Sequence, residues 1–239
     1  METNERQNTT SNDIVDIVGL LESGWQIYRK SWKKFSGASF LFLLIFIGAS
    51  LIHDFIGLLF MGPMTAGIFL FTGEMIAGKD PQPSRVFEGF RWFLPSAIAN
   101  LVISVFVILG LWLLLIPGFV FGGWYLLTYL FIIDRGFDFW SAMESSRRVA
   151  FRDMLGMTLF YVALGAINVI GALLFGIGIL ITFPVTTIAT YLAYEKMVGV
   201  ESIGKGEEPV IMPGSGETNF AEPVAETKSK AEGEEQPGQ

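Results

Sequence analysis

Cysteine is absent from this sequence, and histidine occurs once, as His53. Without cysteine the chain cannot form disulfides, thiolate metal sites or a cysteine nucleophile. A single histidine leaves almost no means of building a histidine-based metal centre or a proton relay. We therefore expect no metal site and no cofactor.

Charge is also scarce in this chain. Charged residues make up 16% of the 239 residues and hydrophobic residues make up 51%, whereas soluble globular proteins have roughly 25% charged residues. A soluble domain of this size could not cover its surface with so few charges. The composition therefore predicts a membrane protein.

One of the longest uncharged runs extends from Trp92 through Ile133 and contains 42 residues. A helix that crosses the hydrocarbon core, which is roughly 30 Å thick, needs about 20 residues. The run is therefore long enough for two spans. We predict helices at 93–115 and 118–133.

The middle of this run reads IPGFVFGGW (116–124). Pro117 cannot donate a backbone hydrogen bond, and glycine permits the backbone conformations of a chain reversal. We therefore predict a tight hairpin turn that includes Pro117, Gly118 and Gly122. The two glycines also form a small-xxx-small pair, which allows close packing of helix backbones.

Two further runs repeat this pattern. Residues 36–78 contain only three ionisable side chains, and residues 154–194 contain no formal charge and carry FGIG (175–178) near their middle. Aromatic-basic clusters precede the three runs at similar intervals: SWKKF (31–35), FRWF (90–93) and FRDM (151–154). The repetition predicts an all-α membrane protein with six transmembrane helices, arranged as three hairpins with interfacial amphipathic helices.

The turn of the first hairpin is open to three interpretations. It could lie at residues 52–54, with Asp54 capping the next helix, or at Gly62-Pro63, with the proline at the first helical position. The second position leaves only 15 residues before Lys79, which is short for a span. We favour a loose turn within 53–62.

The basic residues provide an independent argument about topology. All 16 fall into four groups, at 1–35, 79–91, 135–152 and 196–230, and none lies near a predicted turn. Six spans would place all four groups on one face of the membrane, and the positive-inside rule makes that face cytoplasmic. We therefore expect a multi-pass protein of the cytoplasmic (inner) cell membrane with both termini in the cytoplasm.

Residues 14–35 have the pattern of an interfacial amphipathic helix, because apolar side chains recur in steps of four and three and basic residues come late. Packing against the protein's own segments is an alternative. Residues 137–153 repeat the design, with an N-cap at Asp138 or a capping box at Ser141 and Glu144. The basic side chains of these two stretches are candidate contacts for lipid headgroups of the inner leaflet: Arg29, Lys30, Lys33, Lys34, Arg147, Arg148 and Arg152.

The two ends of the chain differ from its middle in composition. Residues 198–239 contain nine Glu and three Lys, a net charge of −6, and few large apolar residues. Such a segment cannot bury enough apolar surface to fold, so we predict a disordered acidic tail that is a candidate site for a protein partner. We expect residues 1–13 to be disordered as well, which leaves 36–197 as the membrane domain. Because the basic residues are interleaved with spans, we expect no binding to nucleic acid.

Five polar side chains lie within the predicted spans, where burial is costly and therefore indicates function. For the adjacent His53 and Asp54 we favour an interfacial turn over proton or substrate handling, because neighbours on a helix point in different directions. For Glu74, near the inner surface, we expect snorkelling or pairing with a basic residue. For Asn100 and Asn168 we expect hydrogen bonds between helices rather than a permeation site.

The stretch IPGFVFGGWYLLTYLFIIDRGFDFWSAMESSRRVAFRDMLG, together with GPMTAG (62–67) and FRWFLP (90–95), resembles a known group of sequences. These are prokaryotic integral membrane proteins related to the membrane domain of glycerophosphoryl diester phosphodiesterases. The resemblance covers roughly residues 15–197 and implies a six-helix, multi-pass domain. It implies no phosphodiesterase activity, because catalysis in such fusions belongs to a separate soluble barrel, and no catalytic residue is carried over.

Motifs of common enzyme classes are missing from the sequence, including the phosphate-binding GxxxxGK[ST], HExxH and GxSxG patterns. We therefore expect a protein without catalytic activity that acts as a membrane scaffold or accessory factor through lipid and partner contacts. The alternative is a small transporter or lipid-handling membrane protein, for which the polar residues within the spans would be the site.

Overall fold

The computed structural model describes residues 15–114, 116–174 and 178–203, and every regular element in these ranges is helical. Along these ranges the α-helices follow in the order α1 (Ile17–Lys30), α2 (Trp32–Ile52), α3 (Asp54–Ile76), α4 (Phe93–Leu114), α5 (Ile116–Trp124), α6 (Thr128–Arg135), α7 (Phe139–Ala150), α8 (Met154–Leu173) and α9 (Ile179–Met197). Two 3-10 segments, Pro83–Trp92 and Phe151–Asp153, precede α4 and α8.

Several predicted features lie outside the described residues. They are the disordered N-terminus (1–13), the tail beyond residue 203 and the centre of the third turn (175–177).

The helical membrane class is confirmed, but six spans are not. Within the described ranges five helical segments are long and apolar enough to cross a membrane: Trp32–Leu51, Ile56–Ile76, Pro83–Leu113, Ile116–Arg135 and Phe139–Leu173. The helix α9 was predicted as the sixth span and is not among them. These segments place the protein in a membrane.

The helix α9 is less apolar than the five candidate spans, and it lies inside the molecule. It contacts α1, α2, α3 and α8, and its residues from Pro184 to Tyr194 are buried with few exceptions. Its polar side chains include Thr186, Thr187 and Thr190, whose hydroxyl groups donate to backbone carbonyls of the same helix. A helix surrounded by protein needs no apolar surface for lipid, so it can carry hydroxyl groups that bond to its own backbone.

The predicted turn IPGFVFGGW is wrong, because all nine residues form α5. The preceding helix ends at Leu114, and α5 begins at Ile116. Pro117 is the second residue of α5, where the proline ring fits because the first N–H groups of a helix have no partner within it. A proline at this place marks a helix start as readily as a turn, which is why the sequence pattern misled.

Gly118 and Gly122 of this segment serve helix packing and not the turn. Gly118 lies against Gly110, and a side chain on either residue would overlap the backbone of the other helix. A side chain on Gly122 would overlap the ring of Tyr161 in α8. The close approach expected for small residues therefore joins α5 to α4 and to α8.

The loose turn predicted within 53–62 is also wrong. The helix α3 begins at Asp54 and continues through Gly62 and Pro63. Only His53 interrupts the helices, with an extended backbone (φ −168°, ψ 135°). The junction is therefore at residues 52–54, one of the positions considered.

The 3-10 segment Pro83–Trp92 packs tightly on α3. A Cβ atom at Gly67 would overlap the carbonyl oxygen of Val86, and a Cβ atom at Gly89 would overlap the carbonyl oxygen of Pro63. These contacts explain Gly67 in GPMTAG and Gly89 in the segment that leads into FRWFLP. The segment before α4 is therefore held against a span.

The interfacial helix predicted over 14–35 ends earlier, at Lys30. Ser31 breaks the helix, and the residues from Trp32 onward belong to α2. The break lets the Tyr28 hydroxyl lie 2.8 Å from the hydroxyl of Ser36 in α2. Tyr28 is buried, as is Gly24, which faces α9.

On its other side α1 exposes Val18 (75%) and Trp25 (44%) to the surroundings. The helix therefore packs against its own protein, as the alternative interpretation held, and it also presents apolar side chains outward. The exposed side chains are available to a membrane surface.

The acidic tail was predicted to start at 198, but the folded part of the chain continues at least to Ile203. Ser202 and Ile203 are both buried. The reason is the buried carboxylate of Asp134, whose contacts are described below.

Candidate functional site

The five polar residues predicted within the spans lie in different surroundings. His53 is exposed at the junction of α2 and α3, and Asp54 is the first residue of α3. His53 is not among the described residues that line a cavity between the helices, and the side chain of Asp54 lies outside what the structure describes. Asn100 and Asn168, in contrast, both line it.

Glu74 belongs to an ion pair near the end of α3. Its carboxylate is almost fully buried, with 7% of the side chain exposed, and it accepts two hydrogen bonds from the guanidinium of Arg85, at 2.8 Å and 2.7 Å. Arg85 also pairs with Glu88. This bidentate geometry fastens the 3-10 segment to α3, so Glu74 has a structural partner.

The cavity has a volume of about 500 Å³, which falls within the range of about 300–1,000 Å³ for small-molecule sites. Its wall is formed by α2, α3, α4, α5, α6, α8 and α9 and by the connection 125–127. Met61, Ile108 and Gly165 line it and are also exposed at the surface. The cavity therefore opens between α3, α4 and α8, among apolar helix faces.

Asn100 joins three helices at the cavity wall. Its Nδ2 donates to the carbonyl oxygen of Leu58 in α3 at 2.8 Å, and its Oδ1 accepts from the hydroxyl of Tyr129 in α6 at 2.7 Å. Both ends of the amide are thus occupied. A buried amide with both ends paired holds the wall without an unsatisfied polar group.

Asn168 joins α8 to α9. Its Nδ2 donates to the carbonyl oxygen of Leu164 and to the hydroxyl of Thr186, both at 3.0 Å. Within the described ranges its Oδ1 is buried and has no hydrogen-bond partner. The expectation of bonds between helices thus describes both asparagines, but it did not foresee that they share one cavity.

Three threonines of α9 line the same cavity, and their hydroxyl groups donate to backbone carbonyls of the same helix. Thr186 and Thr187 both donate to Phe183, at 2.9 Å and 2.8 Å, and Thr190 donates to Thr186 at 2.9 Å. Their donors are therefore occupied, and only their oxygen lone pairs face outward.

The break between α5 and α6 forms another part of the wall, with Tyr125 and Leu126 at the cavity. Backbone groups freed by such a break in a membrane must find partners. Here Ser146 of α7 supplies them: its hydroxyl donates to the carbonyl oxygen of Trp124 at 2.7 Å and accepts from the N–H of Leu127 at 3.2 Å. The amphipathic helix α7 is thus docked on the cavity wall.

Among the described lining residues none is Asp, Glu, Lys, Arg or His. The wall instead combines apolar side chains with amide and hydroxyl groups. Burial of an isolated ion against such a wall would be costly, because nothing there compensates its charge. The site is therefore suited to an uncharged, mostly apolar molecule.

Three of the seven predicted headgroup contacts pair with protein carboxylates. Lys34 pairs with Asp80. Arg147 and Arg148 of α7 share Glu144, at 2.7 Å and 2.9 Å. Glu144 thus pairs with the arginines, whereas the N-cap of α7 is Asp138, which accepts from the N–H of Trp140.

The remaining predicted contacts lie at the surface. Lys33 is placed over the ring of Trp32, with 5.8 Å between its Nζ and the ring centroid. Arg29, Lys30 and Arg152 are exposed.

Sequence reasoning missed the role of Asp134, which was noted only as part of a resembling motif. Its side chain is fully buried and accepts from the hydroxyl of Tyr194 at 2.9 Å. It also accepts from the backbone N–H groups of residues 201, 202 and 203, at 2.8–3.1 Å. The one signal that the sequence offers for this anchor is an aspartate placed directly after the uncharged run 92–133.

Comparisons of this chain with protein-family models, with curated proteins and with solved structures found no match.

Proposed function

We propose that this protein handles lipid or another apolar molecule of the membrane, which it holds in the central cavity. The observation that supports this proposal most strongly is the convergence of Asn100 and Asn168, which lie 68 positions apart in the chain, on one cavity. This favours the lipid-handling alternative of the sequence analysis over a scaffold without a binding site.

The place of the opening supports the same function. Met61, Ile108 and Gly165 are exposed at the cavity mouth, and the neighbouring exposed residues of α4, Val105 and Leu109, are apolar. In a membrane these helix faces contact lipid. An apolar molecule would therefore enter sideways from the bilayer without crossing water.

We also propose that the protein resides in the cytoplasmic membrane with both termini inside. Three contacts join segments that flank the predicted spans: Lys34 with Asp80, Arg135 with Glu201, and the N–H of Val15 with Asp153 at 2.9 Å. They support a common face for basic groups that are far apart in the sequence, and the positive-inside rule assigns that face to the cytoplasm.

The experiment compares two glycines that both have space for a side chain, of which one lines the cavity. A Cβ atom at Gly165 or at Gly48 would meet no atom within 4 Å, but only Gly165 lines the cavity. The full-length protein in lipid nanodiscs is labelled with a long-chain alkyl diazirine, and the adducts are mapped by peptide mass spectrometry. We expect adducts on cavity residues that decrease in Gly165→Leu and persist in Gly48→Leu.

Adducts spread evenly over outward-facing residues such as Leu51 and Trp112, and unchanged in Gly165→Leu, would refute the proposed function. Both reference residues are highly exposed, at 83% and 90%. They therefore report labelling by bulk lipid.

A scaffold or accessory role without catalysis is the second candidate, and one observation favours it. The anchor at Asp134 holds residues 201–203 in place, so the acidic sequence that follows starts from a defined point. Photo-crosslinkers placed within 204–239 should then join one reproducible neighbour. A crosslinking pattern that is random, or that is the same when Asp134→Asn releases the anchor, would contradict this role. The proposed kinship with the phosphodiesterase-linked membrane domains is compatible with either function.

A further inference from the structure

Resting on the proposed function, we propose that the cavity selects an uncharged lipid that carries a hydrogen-bond acceptor, as the ester oxygens of an acylglycerol do. The hydroxyl of Tyr161 is the group that would donate to this acceptor. The inference concerns which molecule binds, whereas the proposed function concerns only whether the cavity binds one.

The lack of charged side chains among the described lining residues sets the first condition for a ligand. Among the described residues, the carboxylates of Glu74 and Asp134 are nearly inaccessible, and both are paired: Glu74 with Arg85, and Asp134 with Arg135, Tyr194 and backbone N–H groups. The described cavity lining offers no such partner for an ion. A ligand with a charge in its buried part is therefore disfavoured, since transfer of an unpaired ion into an apolar site costs several kcal/mol or more.

The hydrogen-bond donors of the wall set the second condition, because most are already used. Asn100, Asn168 and Tyr129 donate within the protein, as do the cavity threonines. The hydroxyl of Tyr125 makes no hydrogen bond to a described residue, but the charges of Arg147 and Glu144 in α7 act on it. Donors that bind within the protein are not available to a ligand.

Tyr161 differs from the residues that donate within the protein, and it also differs from Tyr125 because no charged group of the described residues acts on it. Its ring packs on Gly122, and its phenol lies near that of Tyr129. It makes no hydrogen bond to any residue that the structure describes, and its oxygen is not among the buried unpaired atoms. The hydroxyl is therefore free to donate. Ser104 is another unpaired hydroxyl of the wall, but a helical serine can bond to a carbonyl of its own preceding turn.

The test compares two matched substitutions in the full-length protein in nanodiscs. Tyr161→Phe removes only the free hydroxyl at the cavity. Tyr191→Phe makes the same change at a buried tyrosine that is not among the lining residues. Displacement of the alkyl diazirine is measured with three unlabelled competitors of equal chain length: a monoacylglycerol, the fatty acid anion and the plain hydrocarbon.

We expect the monoacylglycerol to compete best in the natural protein. Tyr161→Phe should weaken it roughly fivefold, which corresponds to about 1 kcal/mol for one neutral hydrogen bond, and should not change competition by the hydrocarbon. Tyr191→Phe should change neither. The melting temperatures of both variants identify any loss of fold.

Two results would overturn the inference while leaving the proposed function intact. One is equal competition by monoacylglycerol and hydrocarbon with no effect of Tyr161→Phe, and the other is preference for the fatty acid anion. Failure of every competitor to displace label from the cavity would instead count against the proposed function itself.

Discussion

The hydroxyl of Tyr194 donates a 2.9 Å hydrogen bond to the carboxylate of Asp134, and this contact joins the innermost helix α9 to the end of α6. The same carboxylate accepts the backbone N–H groups of residues 201–203. One buried side chain thus fastens residues 201–203 to the helices.

Replacement of Asp134 should therefore be costly. In the natural protein these donors bind a carboxylate, and hydrogen bonds to a charged group are worth about 1.5–3 kcal/mol each. In Asp134→Asn the same donors face a neutral amide. We expect a loss of about 3 kcal/mol in the free energy of unfolding, measured by denaturant titration in detergent micelles. Asp80→Asn is the control: Asp80 is 81% exposed and, among the described residues, pairs with Lys34, so its loss should cost under about 1 kcal/mol. Equal effects would contradict the assigned anchor.

The buried pair of Glu74 and Arg85 should behave asymmetrically. Arg85→Gln leaves a nearly inaccessible carboxylate without its bidentate partner. Loss of one partner of a fully buried pair costs about 3–5 kcal/mol, and because Arg85 itself is 38% exposed we expect about 2 kcal/mol. Adding Glu74→Gln should recover part of this loss. Thermal unfolding of the single and double variants measures it, and a double variant less stable than Arg85→Gln would argue against the pair.

The hydrogen bond between Asn100 and Tyr129 can be measured by a double-mutant cycle. Asn100→Leu, Tyr129→Phe and the double variant isolate the coupling between the two side chains. Hydrogen bonds between membrane helices average about 0.6 kcal/mol and reach about 1.7 kcal/mol, so we expect a coupling in this range. Pairing Asn100→Leu with Tyr28→Phe, whose hydroxyl contacts Ser36 instead, should give additive effects.

The topology can be tested without removing native thiols, because the chain has no cysteine. Trp140 in α7 is 62% exposed and lies in the basic segment assigned to the cytoplasm. In Trp140→Cys we expect no reaction with a membrane-impermeant maleimide in intact cells and full reaction after permeabilisation. His53→Cys, at the exposed junction of α2 and α3, should react with the maleimide in intact cells already. Labelling of Trp140→Cys in intact cells would reverse the proposed orientation.

The membrane class and the approximate places of the helices could be read from the sequence. Long uncharged runs are a local property of the chain, and the cost of leaving backbone groups unpaired in hydrocarbon makes helices the solution for such runs. Asn100 and Asn168 could also be recognised from the sequence, because each is a polar residue within an apolar run.

The structure alone decided the rest. Proline and glycine fit both a turn and the first turn of a helix, and the tight contact of Gly118 with Gly110 depends on a partner that local sequence does not reveal. In the same way, the polar character of α9 makes sense only because other helices surround it. The cavity shared by Asn100 and Asn168 and the anchor at Asp134 both arise from residues distant in the chain, and only tertiary packing brings such residues together.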